Sequence, residues 1–241
     1  MTSFKISSRW LSKCLGTKTD KQNMLPVLTV SDNILKLALL ENEGCSMRVH
    51  RHHNVTATSC VKSTIIRIPN CVRDFVNKLG KSELIEFYIK QTDVIMTVER
   101  PHSALQYRFK SIKNNTENTI EDDIMDLKVY VRNHEFLDLI KTMPGNGQVT
   151  IALDKSRCSV SFKHSGLHWG AAIQLKYKSP QSKSVTYDAL SLQQIFASCT
   201  PQHNYSILTI MHSGVFKWSP SSSEPSELDE SVVIYIAPSV Q

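Results

Sequence analysis

Three groups of side chains have the types that chemistry needs. His50-Arg51-His52-His53 puts three imidazoles into four residues, His134 and Glu135 stand together at what reads as a helix start, and Cys158 lies near His164. The first group offers metal ligands. Zinc, however, draws its ligands from separate elements, and a histidine run reads more simply as a solvated turn. The other two groups offer a base or a nucleophile, and each lacks the converging third group that would orient it. There is no glycine-rich dinucleotide loop, no phosphate loop, no G-x-S-x-G, no H-E-x-x-H and no C-x-x-C. The six cysteines, Cys14, Cys45, Cys60, Cys71, Cys158 and Cys199, show no close pairing and suit a reducing compartment better than a disulfide frame. The expectation is a protein with no catalytic residue, no metal and no cofactor.

What remains is charge. The chain of 241 residues carries a net +6, and the excess sits in one half: residues 1–112 hold 17 Lys and Arg against 9 Asp and Glu, residues 113–241 hold 11 against 13. Arg9, Lys13, Lys18 and Lys21 fall on or just after one helical pattern, and Arg73, Lys78 and Lys81 on or just after a second, away from the apolar stripes. A solvated surface is the plainer account of such a balance. Placement on helix faces points instead to a polyanion, because like charges on one face repel unless an anion meets them.

The elements that must position these residues are clearest between Leu127 and Lys178. Leu127, Val129 and Val131 alternate as a strand, Asn133 can cap a helix striped by Phe136, Leu139, Ile140 and Met143, and Pro144-Gly145-Asn146-Gly147 ends it. Three strands follow, marked by Val149, Ile151 and Leu153, by Val160 and Phe162, and by Ala171, Ile173, Leu175 and Tyr177. With n as the first strand residue, apolar side chains recur at n, n+7, n+10 and n+11 in four copies that begin at Phe4, Ile65, Val129 and Val185. Copies two and four also end on related tetrads, VERP (Val98–Pro101) and YIAP (Tyr235–Pro238). The acidic, aperiodic stretch KNNTENTIEDDIMD separates two like halves. The expected organisation is an α+β chain with a first domain at 1–112, a linker at 113–126 and a second domain at 127–241. Ser219–Ser231 reads as a flexible loop, with a phosphorylation site as the alternative. No window approaches the roughly 18 apolar residues of a membrane span, so no membrane partner is expected.

The four-fold plan, the acidic linker and the strings VSFKHSGLHWGAAIQL, VERP and YIAPSVQ resemble the sliding clamps of the proliferating cell nuclear antigen family. That resemblance implies two domains per subunit, each of two strand-helix-strands repeats, with helices inside a ring and antiparallel sheets outside. It implies a homo-oligomer, a trimer in the family, that encircles double-stranded DNA and tethers a DNA polymerase and other replication and repair proteins after a clamp loader closes it. Location would be nuclear, or at a viral replication site. Arg9, Lys13, Lys18, Lys21, Arg73, Lys78, Lys81 and Lys141 would face DNA. A pocket for partner peptides would draw on Leu40, Cys45, Met47, Met125, Leu127, Tyr235, Ile236, Ala237 and Pro238. Subunits would join through edge strands at Leu105–Ile112 and Ala171–Lys178, beside Tyr107, Phe109, Ile173 and Leu175. The chain also departs from the family: Gln193, Gln194 and Ser198 stand where basic residues would be expected, and the position of the family's modified lysine reads Arg157, with Lys155 nearby. A subunit of a checkpoint heterotrimer, or a monomeric DNA-binding processivity factor, is the alternative.

Overall fold

The structure is a computed structural model that describes residues 2–15, 26–31, 34–41, 46–52, 55, 64–111, 125–154, 156, 158–175, 182–197, 204–220 and 230–239. Lys18, Lys21, Cys45, Lys155, Arg157, Ser198, the linker up to residue 124 and the insert at 221–229 lie outside the described residues.

Four repeats of strand, helix and three strands follow one another. The first is β1 (Thr2–Ser7), α1 (Ser8–Leu15), β2 (Val27–Ser31), β3 (Ile34–Glu41) and β4 (Ser46–His52). The second is β5 (Thr64–Arg67), α2 (Asn70–Asn77), β6 (Leu84–Lys90), β7 (Asp93–Arg100) and β8 (Ser103–Lys110). The third is β9 (Met125–Arg132), α3 (Asn133–Thr142), β10 (Gln148–Asp154), β11 (Ser159–His164) and β12 (Gly170–Gln174). The fourth is β13 (Lys183–Asp188), α4 (Ala189–Ala197), β14 (Tyr205–Met211), β15 (Phe216–Pro220) and β16 (Glu230–Ile236).

The chain divides into two compact units, one of Met1–Leu40, Val49–Asn118 and Leu228–Ser231, the other of Glu41–Arg48, Thr119–Glu227 and Val232–Gln241. Within each unit the repeats exchange their first strands. In the first unit β1 pairs antiparallel with β6 of the next repeat, giving the order β1-β6-β7-β8, while β5 returns to β2. In the second unit β13 pairs with β10 in the order β13-β10-β11-β12, and β9 pairs with β14 in the order β9-β14-β15-β16. Strand faces alternate, so each sheet turns one apolar row inward, and the two helices of the unit bury their stripes against it.

The first core joins Phe4 and Ile6 of β1, Trp10, Leu11 and Cys14 of α1, Val72 and Val76 of α2, and Phe87 of β6, which stacks on Phe4 with ring centroids 4.9 Å apart. The second is centred on Phe136, whose ring meets Phe196 edge-on at 5.1 Å and lies 6.2 Å from Phe162 and 6.3 Å from Phe216.

Three local readings are corrected. In copy two the strand residue in the core is Ile66, and Ile65 is half-buried on the other face. The passage from buried strand residue to helix stripe is thus one residue shorter there than in the other copies. VERP closes β7, the second strand after α2, whereas YIAP closes β16, the third strand after α4, so the tetrads are not equivalent. Asn133 is the first residue of α3 rather than a side-chain cap: its buried Oδ1 accepts the Ser206 hydroxyl of β14, and its N–H donates to Asn204 O at 2.9 Å. The side-chain cap is instead on α4, where Asp188 Oδ2 accepts the Ser191 N–H at 2.7 Å.

Candidate nucleic-acid interface

Arg9 and Lys13 on α1 and Arg73 on α2 sit on two helices of the first unit that are bound to each other by small polar side chains. Ser8 at the start of α1 donates its hydroxyl to Gly80 O (2.6 Å) and its N–H to Glu83 O (2.9 Å), just beyond the end of α2. One turn on, the Ser12 hydroxyl donates to Asn77 Oδ1 at 2.9 Å. Numbering rises on one helix as it falls on the other, so α1 and α2 are antiparallel. Arg9 and Lys13 are exposed on either side of Ser12, while Trp10, Leu11, Cys14 and Leu15 on the opposite face are buried. Arg73 lies one turn before Asn77, and Lys78 and Lys81 are exposed around Gly80. Exposed Asp74 is the acid on α2. Glu83 is engaged elsewhere, its carboxylate 2.5 Å from Arg100 Nε, which together with the Gly80 N–H holds its pKa below the ordinary value. The face therefore stays predominantly cationic.

The matching face of the second unit differs. Lys141 is exposed at the end of α3 with Asp138 Oδ1 3.8 Å away, and α4 (ALSLQQIFA) carries no ionisable side chain. Gln193, at the position of Arg73, spends its amide on the end of α3, donating to Met143 O and, at 3.5 Å, to Ile140 O. The charge asymmetry seen in the sequence is thus an asymmetry between the helix faces of the two units.

The residues expected to form a partner pocket separate by face. On β16, Ile234 and Ile236 belong to the second core, so Ile236 is committed to packing there. Its neighbour Tyr235 points to the other face, where Lys217 Nζ lies 5.4 Å from its ring centre. Tyr235, Val233, Met211 and Met47 are also buried yet belong to neither core, and strand alternation puts Tyr235 and Val233 on the face of β16 opposite Ile234 and Ile236. Of the expected set, Met47 and Tyr235 lie outside both cores, and Ile236 does not. Ala237 is exposed, and Pro238 packs toward Gly214 as Ser239 N–H donates to Thr186 O at 2.8 Å. Leu40 lies in β3, while Met125 and Leu127 lie in β9, which begins two residues before the predicted Leu127 start; only the backbone of these three is described. Met211 and Val233 were missed, although the apolar-rich runs ILTIM, broken only by Thr209, and VVIYI carry the signal of strands covered on both faces.

Edge strands behave differently from the expectation too. β8 and β12 each end their sheet, but Phe109, Ile173 and Leu175 are buried in their own cores, and Tyr107 stacks on Phe75 at 5.0 Å. Phe109, Ile173 and Leu175 are thus committed to their own cores, and Tyr107 is half-buried. What the edges offer is backbone. Ser111 N–H donates to Thr92 O, and antiparallel ladders alternate bonded with non-bonded pairs, so Leu105, Tyr107 and Phe109 bond to β7. Ala104, Gln106, Arg108 and Lys110 then turn their N–H and C=O to the open edge. On β12 the bonds His164 N–H to Trp169 O and Leu175 N–H to Cys158 O set the phase, leaving Gly170, Ala172 and Gln174 facing outward.

The constellations considered for chemistry do not converge among the described residues. Cys158 and His164 lie at opposite ends of β11, about 20 Å apart at the usual strand rise. The His134–Glu135 pair is exposed at 4.0 Å, His50 and His52 lie on β4 with His52 edge-on to Trp10, and no group of three potential metal ligands is found among the described residues. No helix among the described residues is long and apolar enough to cross a membrane.

No family model and no curated protein matches the chain. Among solved structures it is similar to the crystal structure of Proliferating Cellular Nuclear Antigen from Entamoeba histolytica, with a TM-score of 0.65 and 13% sequence identity over 99% of both chains. Four strand-helix-strands repeats, exchanged in pairs into two like units, are the architecture of that match, and the chain has the sliding-clamp fold of proliferating cell nuclear antigen in a divergent sequence.

Proposed function

We propose that this chain is a DNA sliding clamp, a subunit of a homotrimeric ring that encircles duplex DNA and tethers polymerases and other replication and repair proteins, acting in the nucleus or at a viral replication site. The observation that carries the reading is the α1–α2 face, on which Ser8 and Ser12 fix two helices side by side with Arg9, Lys13, Arg73, Lys78 and Lys81 around the join. Phosphates neutralise such a face without sequence preference, which is what a tether that must slide requires. The open backbone rows of β8 and β12 support ring closure by strand pairing, since soluble proteins seldom leave such rows uncovered. Met47 and Tyr235, outside both cores, are the residues of the expected pocket left to serve peptide docking.

The test is charge reversal. Arg73→Glu with Lys78→Glu is expected to abolish polymerase stimulation and to lower the slope of log affinity against log salt by about 0.9 for each phosphate no longer neutralised. Lys163→Glu on β11 should leave both unchanged. Equal loss from both variants would remove the α1–α2 face as the DNA surface.

The absence of ionisable groups on α4 favours a second reading, a clamp-fold subunit of a heterotrimer or a monomeric DNA-binding factor whose phosphate contacts come from the first unit alone. Light scattering across a concentration series separates the two, because a chain that stays monomeric at micromolar concentration is not a homotrimer.

A further inference from the structure

One sheet edge in the second unit is long, exposed and uncovered. β9 has eight residues and ends its sheet beside β14. The bond from Asn133 N–H to Asn204 O fixes the ladder phase, so Val131 and Val129 bond to Ser206 and Leu208, while the N–H and C=O of Lys128 and Tyr130 point to the open side. Related inner edges are blocked: on β5 the Arg67 N–H is taken by the Ser111 hydroxyl at 3.1 Å, and on β13 Thr186 O is taken by Ser239 N–H at 2.8 Å. Among the described residues nothing comparable covers Lys128 and Tyr130.

The side chains beside that edge form an aromatic and cationic surface. Tyr130 is 42% and Tyr205 40% exposed, Arg132 is the register partner of Tyr205, and Lys128 Nζ stands 5.8 Å from the Tyr130 ring centre. Glu135 lies 3.2 Å from Arg132, and exposed His134 adjoins it. We propose that the open edge of β9 is a docking strand for an extended acidic peptide segment of a partner protein.

The chemistry selects among occupants. An added strand satisfies the open N–H and C=O groups, which a nucleic acid strand does not. A second copy of β9 pairing antiparallel about Tyr130 would set Lys128 against Arg132, like charge against like. Glutamate or aspartate opposite Lys128, with apolar residues over Tyr130 and Tyr205, matches the edge, Arg132 already sharing its charge with Glu135 at 3.2 Å. The inference stands on the second unit alone and does not require the ring.

The probe is a fluorescein-labelled peptide alternating glutamate with valine, followed by fluorescence anisotropy and amide hydrogen exchange on the full chain. Binding that protects the Lys128 and Tyr130 amides is expected, with a loss of tenfold or more in Tyr130→Pro, which removes an N–H that β14 does not use, and in Lys128→Glu. A lysine-valine peptide should not bind. Absence of binding by the acidic peptide, protection elsewhere, equal binding of the lysine peptide, or a single-stranded oligonucleotide that protects the same amides overturns the proposal. Should Tyr130→Pro melt early, Lys128→Glu decides: unchanged affinity in that variant is equally fatal.

Discussion

Proline at Arg108 or Ala172 should dismantle the assembly and leave the subunit intact, whereas proline one residue away should do the reverse. Arg108 and Ala172 direct their N–H groups away from their own sheets, so in the isolated subunit each proline removes no hydrogen bond and sits where edge strands tolerate it. In a ring closed by β8 against β12, the same proline leaves a neighbour's carbonyl without its donor, at a cost of about 1–3 kcal/mol per interface. That corresponds to roughly 5- to 150-fold weaker association at each contact. Tyr107→Pro and Ile173→Pro instead cut bonds to β7 and β11, and Tyr107→Pro also loses the stack on Phe75 at 5.0 Å. An aromatic pair contributes about 0.5–1.5 kcal/mol beyond burial, so these variants should lose about 2–4 kcal/mol of folding stability. Thermal melting paired with light scattering over a dilution series distinguishes the two outcomes. If Arg108→Pro lowers the melting temperature as far as Tyr107→Pro, the ladder phase is wrong; if it melts normally and leaves the mass unchanged, β8 is not a subunit contact.

Removing the α4 cap by Asp188→Ala should cost about 1 kcal/mol, read as a lower denaturant midpoint at unchanged slope. The Glu83 carboxyl, held below its ordinary 4.5 mainly by the Arg100 hydrogen bond, contributes stability at neutral pH that is lost as pH falls from about 4.5 through the depressed value. Glu83→Gln should therefore flatten that acid limb of a melting-temperature profile, and an unaltered limb would count against the ion pair. Met47→Ala with Tyr235→Ala should weaken a partner polymerase's clamp-binding peptide by about 1–4 kcal/mol in a titration. Ile236→Ala is expected to lower the melting temperature, since it empties part of the core.

The repeat was legible because its positions answer to one physical demand. Leu11, Val72, Phe136 and Leu192 each enter a core from the first turn of a helix, six or seven residues after a strand residue that faces the same interior. Where two alternatives were both apolar, the pattern lost its power: in TIIRI either Ile65 or Ile66 fits a strand, and in YIAP either Tyr235 or Ile236 fits a pocket. Burial chose Ile66 for one core and Ile236 for the other. The edges were hidden for another reason. Side-chain alternation reports which face a residue takes, while the direction of its N–H depends on where the ladder bonds fall, as the bond from Ser111 N–H to Thr92 O shows. The Ser8 and Ser12 ties were unreadable because two small polar residues on a short helix have many other uses.

The exchange of first strands between repeats makes the order of synthesis matter. Phe4 of β1 finds its partner, Phe87 of β6, only when a stretch of more than one whole repeat has followed it. At about 5–20 residues per second, β1 and the stripe of α1 stay without their sheet for roughly 4–16 s of translation, and the pairing itself is of the long-range kind that forms slowly. A chain stopped after the first repeat has no strand to receive β1, and β2 has no β5. The smallest piece able to bury its apolar faces is a pair of repeats, so proteolytic or genetic division between repeats one and two should yield fragments that fold only when mixed, whereas each pair is equipped to fold as a whole.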